Sequence, residues 1–164
     1  MASQGEGQAR KVTIRRAGVA DVPLLVALSD GLFQEDAGQR DPFMNLAWPR
    51  QEGSGYFSQR VRDERCLPLL ALVQGEAVGY LLGYLKPPST LRPVRVAELE
   101  SMYVKPGRRS QGIGQRLVDR FLSWARGQGA KRVSVTAYAA NERALAFYRR
   151  NGFVPKSVTL ERGL

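Results

Sequence analysis

Residues 94–127, VRVAELESMYVKPGRRSQGIGQRLVDRFLSWARG, constrain the fold more than any other stretch of the chain. They begin with an alternating run. Val96, Glu98, Glu100 and Met102 fall on one face of a strand and Ala97, Leu99, Ser101 and Tyr103 on the other, so the two glutamates are expected side by side. A basic turn with Gly112 and Gly114 follows. After it, Ile113, Leu117, Phe121 and Ala125, flanked by Val118 and Leu122, form the apolar stripe of a helix whose other side is Gln115, Arg116, Arg120, Ser123 and Arg126. A helix start of this kind leaves backbone N–H groups unpaired at the positive end of the helix dipole, which makes a cradle for phosphate. Glycines let such a group come close. The stretch therefore predicts an α/β protein that holds a phosphorylated ligand.

The 164 residues suit one domain over residues 11–164, preceded by a polar flexible arm at residues 1–10. Cys66 is the only cysteine and histidine is absent, which excludes an internal disulfide, a histidine-ligated zinc and a Ser-His-Asp triad. No metal is expected. Acid–base work near neutral pH falls to Glu, Asp, Tyr, Lys or water. The opening MASQGEGQARK lacks the apolar centre of a signal peptide, and no apolar run approaches the length of a membrane span, so a cytoplasmic protein with no membrane partner is expected.

Charge is unevenly distributed. Residues 105–164 hold 13 Lys and Arg against 3 Asp and Glu, which is the whole formal excess of +10. Such a surface suits nucleic acid or a polyanionic small cofactor. Crowding of the cations around the glycine turn and the last helix favours the cofactor, and Trp124 adjoins the apolar stripe, so nucleic acid is disfavoured. Residues 30–52 are the reverse. Asp30, Glu35, Asp36, Asp41 and Glu52 face only Arg40 and Arg50, a balance that suits a cationic substrate.

Taken in order, Val12 to Arg16 reads as a short half-buried strand, and Asp21 as the N-cap of a helix carrying Leu24, Leu25, Leu28 and Leu32 to about Gln34. Residues 35–55, punctuated by Gly, Pro and Asn, read as an irregular loop with scattered Phe43, Met44, Leu46 and Trp48. A loop this long suggests substrate binding. A shorter helix is expected from Ser54 or Tyr56 to Arg65, and then a hairpin of residues 67–73 and 77–88. The strand over residues 95–104 and the helix after the turn come next. VSVTAYA (residues 133–139) is a strand, Asn141 caps the helix ERALAFYRR, and a last strand is expected over residues 153–160. The order β-α-α-β-β-β-α-β-α-β describes a mixed three-layer α/β domain.

Two motifs in this order resemble the GNAT superfamily of acetyl-CoA-dependent N-acetyltransferases. Arg109-Ser110-Gln111-Gly112-Ile113-Gly114 fits the form Arg/Gln-x-x-Gly-x-Gly/Ala, and Asn141, Ala144, Tyr148, Gly152 and Phe153 fit Asn-x-x-Ala-x-x-x-Tyr followed by Gly-Phe. A Walker A loop would need Lys-Ser or Lys-Thr where Ile113-Gly114 stands, and Leu117 replaces the third glycine of a dinucleotide fingerprint. The resemblance implies a mixed, mostly antiparallel central sheet with helices on both faces. It also implies that acetyl-CoA lies along Met102, Tyr103 and Val104 and against Arg108 to Gln115, with Asn141 and Arg150 completing the contacts and Arg149 in reach of a phosphate.

The chemistry implied is direct transfer to a primary amine, which must lose a proton before it attacks, its pKa being about 10.4 if lysine-like. A carboxylate is the natural base. Glu98 is favoured slightly over Glu100, the other binding the substrate cation. In the family this strand bulges and exposes a backbone N–H near Met102 to polarise the thioester carbonyl, and Tyr148 matches the general acid that protonates the leaving thiolate. Glu35, Asp36 and Trp48, with Glu100, are the expected acceptor contacts. The acceptor is expected to be a small cationic amine, aminoglycoside-like or polyamine-like. The alternatives are a protein lysine or N-terminal amine, or a non-catalytic CoA-binding or nucleic-acid-associated protein. A homodimer is left open.

Overall fold

The computed structural model describes residues 11–164, so the expected arm at residues 1–10 lies outside it. Five strands make one sheet in the order β1 (Val12–Arg16), β2 (Cys66–Val73), β3 (Glu76–Lys86), β4 (Val96–Val104) and β5 (Arg132–Val135). The helices are α1 (Val22–Leu32), α2 (Gly38–Arg40), α3 (Trp48–Arg62), α4 (Ile113–Gly127) and α5 (Glu142–Arg150). Neighbours β1 to β4 are antiparallel, and β5 is parallel to β4 because α4 carries the chain back between them. This is the mixed, mostly antiparallel sheet that the family resemblance implies. Among the described residues no helix is long and apolar enough to cross a membrane.

The sheet buries both faces. On one, Leu69, Leu81, Ala97 and Leu99 meet Ile113, Leu117, Phe121 and Ala125 of α4, with Phe147 and Tyr148 of α5 at the margin. On the other, Leu70, Tyr80 and Leu82 meet Leu25 and Leu28 of α1 and Phe57 of α3. Strand residues alternate between the two cores and helix residues recur every third or fourth position, as the apolar pattern requires. Each fully buried Leu or Phe contributes about 1.5–3 kcal/mol of transfer free energy.

Three expectations are corrected. The loop over residues 35–55 is mostly helical: α1 runs on through a π-helical turn, Phe33–Ala37, into α2, and α3 begins at Trp48. Only residues 41–47 stay irregular. Pro49 falls in the first turn of α3, where its missing N–H costs nothing, and Gly53 is a packing contact, since a Cβ there would lie 3.3 Å from Val26 Cγ2 of α1. The strand expected over residues 153–160 does not form. Pro155 withdraws one donor, no described strand pairs with the segment, and Val154, Val158 and Leu160 remain exposed.

The third correction concerns β4. Its register against β3 passes from Leu82 opposite Ser101 to Gly83 opposite Leu99, which leaves Glu100 as an extra, bulged residue. The bulge resets the alternation. Ala97 and Leu99 face α4, and beyond the bulge Met102 and Val104 do, whereas Tyr103 turns toward α1 and α3. Met102 therefore does not share a face with the glutamates.

Candidate active site

A cleft opens where β4 and β5 part. The two strands pair only from Val96 opposite Arg132 to Leu99 opposite Val135, and β5 ends there instead of running to residue 139. Beyond this point β4 keeps β3 on one side and, among the described residues, has no strand on the other. The cleft encloses about 720 Å³. Lys105 N–H donates to Val78 O at 2.9 Å on the β3 side, while Val104 O turns the opposite way and accepts from Arg109 Nε at 2.8 Å. Backbone groups of alternate residues point to the same side, so the Met102 N–H is aimed into the cleft.

One wall is backbone. Gly112 caps α4 with φ +77°, a left-handed conformation that favours glycine, and no side chain caps the first turn. The N–H groups of a 15-residue helix thus face the cleft alongside Ser110, Gly114 and Gln115. Arg109 holds this turn in place. Its guanidinium grips the Glu35 carboxylate with Nη1 at 2.6 Å and Nη2 at 2.8 Å, and lies 5.5 Å from the centre of the Tyr103 ring. Arg108 lines the same end, and Arg143 and Arg150 contribute from α5. An uncapped helix start ringed by arginines fits the phosphates of a CoA molecule. Gln111 and Arg149 do not line the cleft.

The opposite wall is made of side chains. The π-helical turn brings Glu35 and Asp36 to the cleft together. Asp36 Oδ1 accepts from Arg40 Nη1 at 2.9 Å and from Asn141 Nδ2 at 3.0 Å, and the Asn141 Oδ1 accepts from Ala144 N–H at 3.1 Å. One asparagine thereby caps α5 and ties it across the cleft. Tyr148 stands beside this link, its hydroxyl pushed up to about 12 by burial and, secondarily, by the negative charge of Asp36. It holds its proton through neutral pH.

The glutamates of β4 separate. Glu100 lines the cleft and accepts from Arg60 Nη2 of α3 at 3.1 Å, while Arg60 stacks over Tyr56 at 4.7 Å from the ring centre. Glu98 lies outside the cleft lining, paired with Lys86. Trp48 is also outside: it stacks on Phe33 with ring centres 5.6 Å apart and meets Tyr56 edge-on. Behind the bulge, the Tyr80 hydroxyl is buried and makes no hydrogen bond, although Ser29 and Ser101 face it. Glu35, Asp36, Glu100, Met102, Tyr148 and Asn141 are thus brought to one cavity with the glycine turn, and Glu98, Trp48 and Gln111 are not.

Gln39, Arg40, Thr136 and Arg143 line the cleft without having been singled out from the sequence. Arg40 was legible: it stands four residues after Asp36, the spacing of a helical ion pair, but residues 35–55 read as loop. Thr136 carried no such signal, because it faces the cleft only where β5 stops short.

Residues 33–153 match the model of the Acetyltransferase (GNAT) family. An L-methionine sulfoximine/L-methionine sulfone acetyltransferase of Pseudomonas paraeruginosa is 30% identical over 145 residues, 86% of this chain and 79% of that protein. An uncharacterized N-acetyltransferase of Methanocaldococcus jannaschii is 31% identical over 86 residues, and this chain spans only 38% of its length. In fold, the chain is similar to an aminoglycoside acetyltransferase from an uncultured soil metagenomic sample, with TM-score 0.71 and 21% identity over 93% of this chain and 96% of that one.

Proposed function

The chain belongs to the Acetyltransferase (GNAT) family, and from that premise we propose that it transfers an acetyl group directly from acetyl-CoA to the primary amine of a small molecule, with Glu100 as base and Tyr148 as acid. The observation that carries this reading is a single cavity lined by the uncapped start of α4, Met102, Glu100 and Tyr148.

Acetyl-CoA supplies a thioester whose C–S bond breaks as the C–N bond to the acceptor forms. The first turn of α4, with Arg108, Arg143 and Arg150, would hold its phosphates. The Met102 N–H stabilises negative charge that develops on an oxygen placed in the β4–β5 gap. Glu100 takes a proton from the amine, directly or through one water, while Arg60 holds its Oε1. Tyr148 keeps its proton at the hydroxyl until the thiolate needs it. The bulge favours Glu100 over Glu98 as base, since it turns Glu100 to the cavity while Glu98 stays with Lys86.

A small-molecule acceptor is supported by the Pseudomonas relative, whose name gives small molecules as acceptors. The aminoglycoside-like or polyamine-like acceptor is the second reading, favoured by the acid excess of residues 30–52 and weakened by the arginine partners those acids have. The test is release of CoA thiol from acetyl-CoA with small amines and with peptides. Release with small amines well above peptides supports the reading. Acetyl-CoA binding without release for any acceptor would instead identify a non-catalytic CoA-binding protein.

A further inference from the structure

The geometry points to an acceptor that carries a carboxylate beside its amine, a free amino acid, received by the Asp36–Arg40 pair on the cleft wall. This rests on the acetyl-transfer reading and adds the substrate class to it. Glu35 is gripped at both oxygens by Arg109, and Glu100 is held by Arg60. Farther along, Asp30 lies 3.8 Å from Arg50, and Asp41 Oδ1 accepts from the Phe43 N–H. Each acid that lines the cleft, Glu35, Asp36 and Glu100, thus has an arginine partner, and a polycation finds no surplus of negative charge among these lining side chains.

The Asp36–Arg40 pair offers something different. Asp36 uses Oδ1 for both Arg40 Nη1 and Asn141 Nδ2, and among the described residues its Oδ2 accepts no hydrogen bond. Arg40 uses only Nη1, which also reaches Asp36 O at 3.4 Å, and among the described residues its Nη2 and Nε donate none. Both side chains are about a quarter exposed, and both line the cleft. A free acceptor and a free guanidinium edge thus sit next to each other. A zwitterion matches them sign for sign: its ammonium meets Asp36 Oδ2 and its carboxylate meets the open side of the Arg40 fork. A bare amine leaves Arg40 unanswered, and an amide gives it only a neutral oxygen.

The position suits the reaction as well. Asp36 is close enough to Tyr148 for its charge to be felt at the hydroxyl, so an amine held by Asp36 lies near the proposed acid, with Glu100 on the same cavity. Once the ammonium has passed one proton to Glu100, the nitrogen bonds the acetyl carbon and the C–S bond breaks; Tyr148 protonates the sulfur and regains a proton from the acylated nitrogen, so one proton remains on Glu100 for release to water. The products are an N-acetyl amino acid and CoA.

Matched trios test the assignment: several amino acids, their amides and their decarboxylated amines, assayed by thiol release beside spermidine and an aminoglycoside. The amino acids should show kcat/KM at least about tenfold above their amides and amines, the effect of one charge-assisted contact. In Arg40→Gln that preference should shrink to within about threefold, while acetyl-CoA still binds by calorimetry. Amides, bare amines or polycations outrunning the amino acids would overturn the substrate class and leave acetyl transfer standing. No thiol release with any acceptor, despite acetyl-CoA binding, would overturn both.

Discussion

The two walls of the cleft are held in different ways. The wall at the start of α4 is backbone: a left-handed Gly112, an uncapped helix turn and a strand with one side unpaired. The wall at the π-helical turn is side chains, joined by ion pairs between residues far apart in sequence, such as Glu35 with Arg109 and Glu100 with Arg60. Backbone geometry fits a feature shared by every CoA ester, its phosphates, and leaves little to vary. Side-chain pairs can be exchanged one at a time, so under the proposed function the second wall sets acceptor choice.

Tyr148 lines the cleft beside the Asn141–Asp36 link. Tyr148→Phe should lower kcat about 100-fold, within the usual range for a lost general acid, with acetyl-CoA affinity unchanged. Equal losses in kcat and affinity would make it a packing residue. Because its hydroxyl sits near 12, the wild-type rate should show no alkaline fall from this group below about pH 10.

A smaller effect is expected where the walls touch. Glu35→Gln releases one side of Arg109 and should raise the KM for acetyl-CoA about tenfold, with kcat within about threefold. An effect confined to the acceptor KM would show that Glu35 serves its own wall and not the turn that Arg109 holds.

The smallest effect lies outside the cleft. Asp21 stands at the N-cap of α1 as expected, but its carboxylate makes no capping bond to that helix; it bonds Arg15 through both oxygens at 2.7 and 2.8 Å and accepts from the Gly18 N–H at 2.8 Å. The Arg15 hydrogen bond holds its carboxyl down to about 2. Folded Asp21 therefore stays charged at pH values where the unfolded chain is protonated, and its stabilisation is full above about pH 4 and lost as pH falls toward 2. Asp21→Asn should cost about 1 kcal/mol in urea unfolding at pH 7 and almost nothing near pH 2, with no change in kcat.

Legibility in the sequence follows the same division. The glycine turn, the α4 stripe and the Asn141 cap were readable because local backbone geometry demands those residue types at those spacings. The bulge, implied only by the family resemblance, could not be placed at Glu100 from the residues themselves, for an alternating run carries no mark of the extra residue that turns Met102 away from the glutamates. Nor was the first half of α3 readable, where Gly53 and Gly55 look like loop punctuation until Val26 of α1 is seen packed against the first of them. The arginine partners of the acids were invisible, since 74 residues separate Glu35 from Arg109 and 40 separate Arg60 from Glu100.

The most direct test is the paired rate of Glu100→Gln and Glu98→Gln, read as thiol release at saturating acetyl-CoA. If the bulge presents Glu100 to the cavity as the base, Glu100→Gln loses about 100-fold in kcat and Glu98→Gln stays within about threefold of the wild type. The reverse order, or two unchanged rates, would contradict the account.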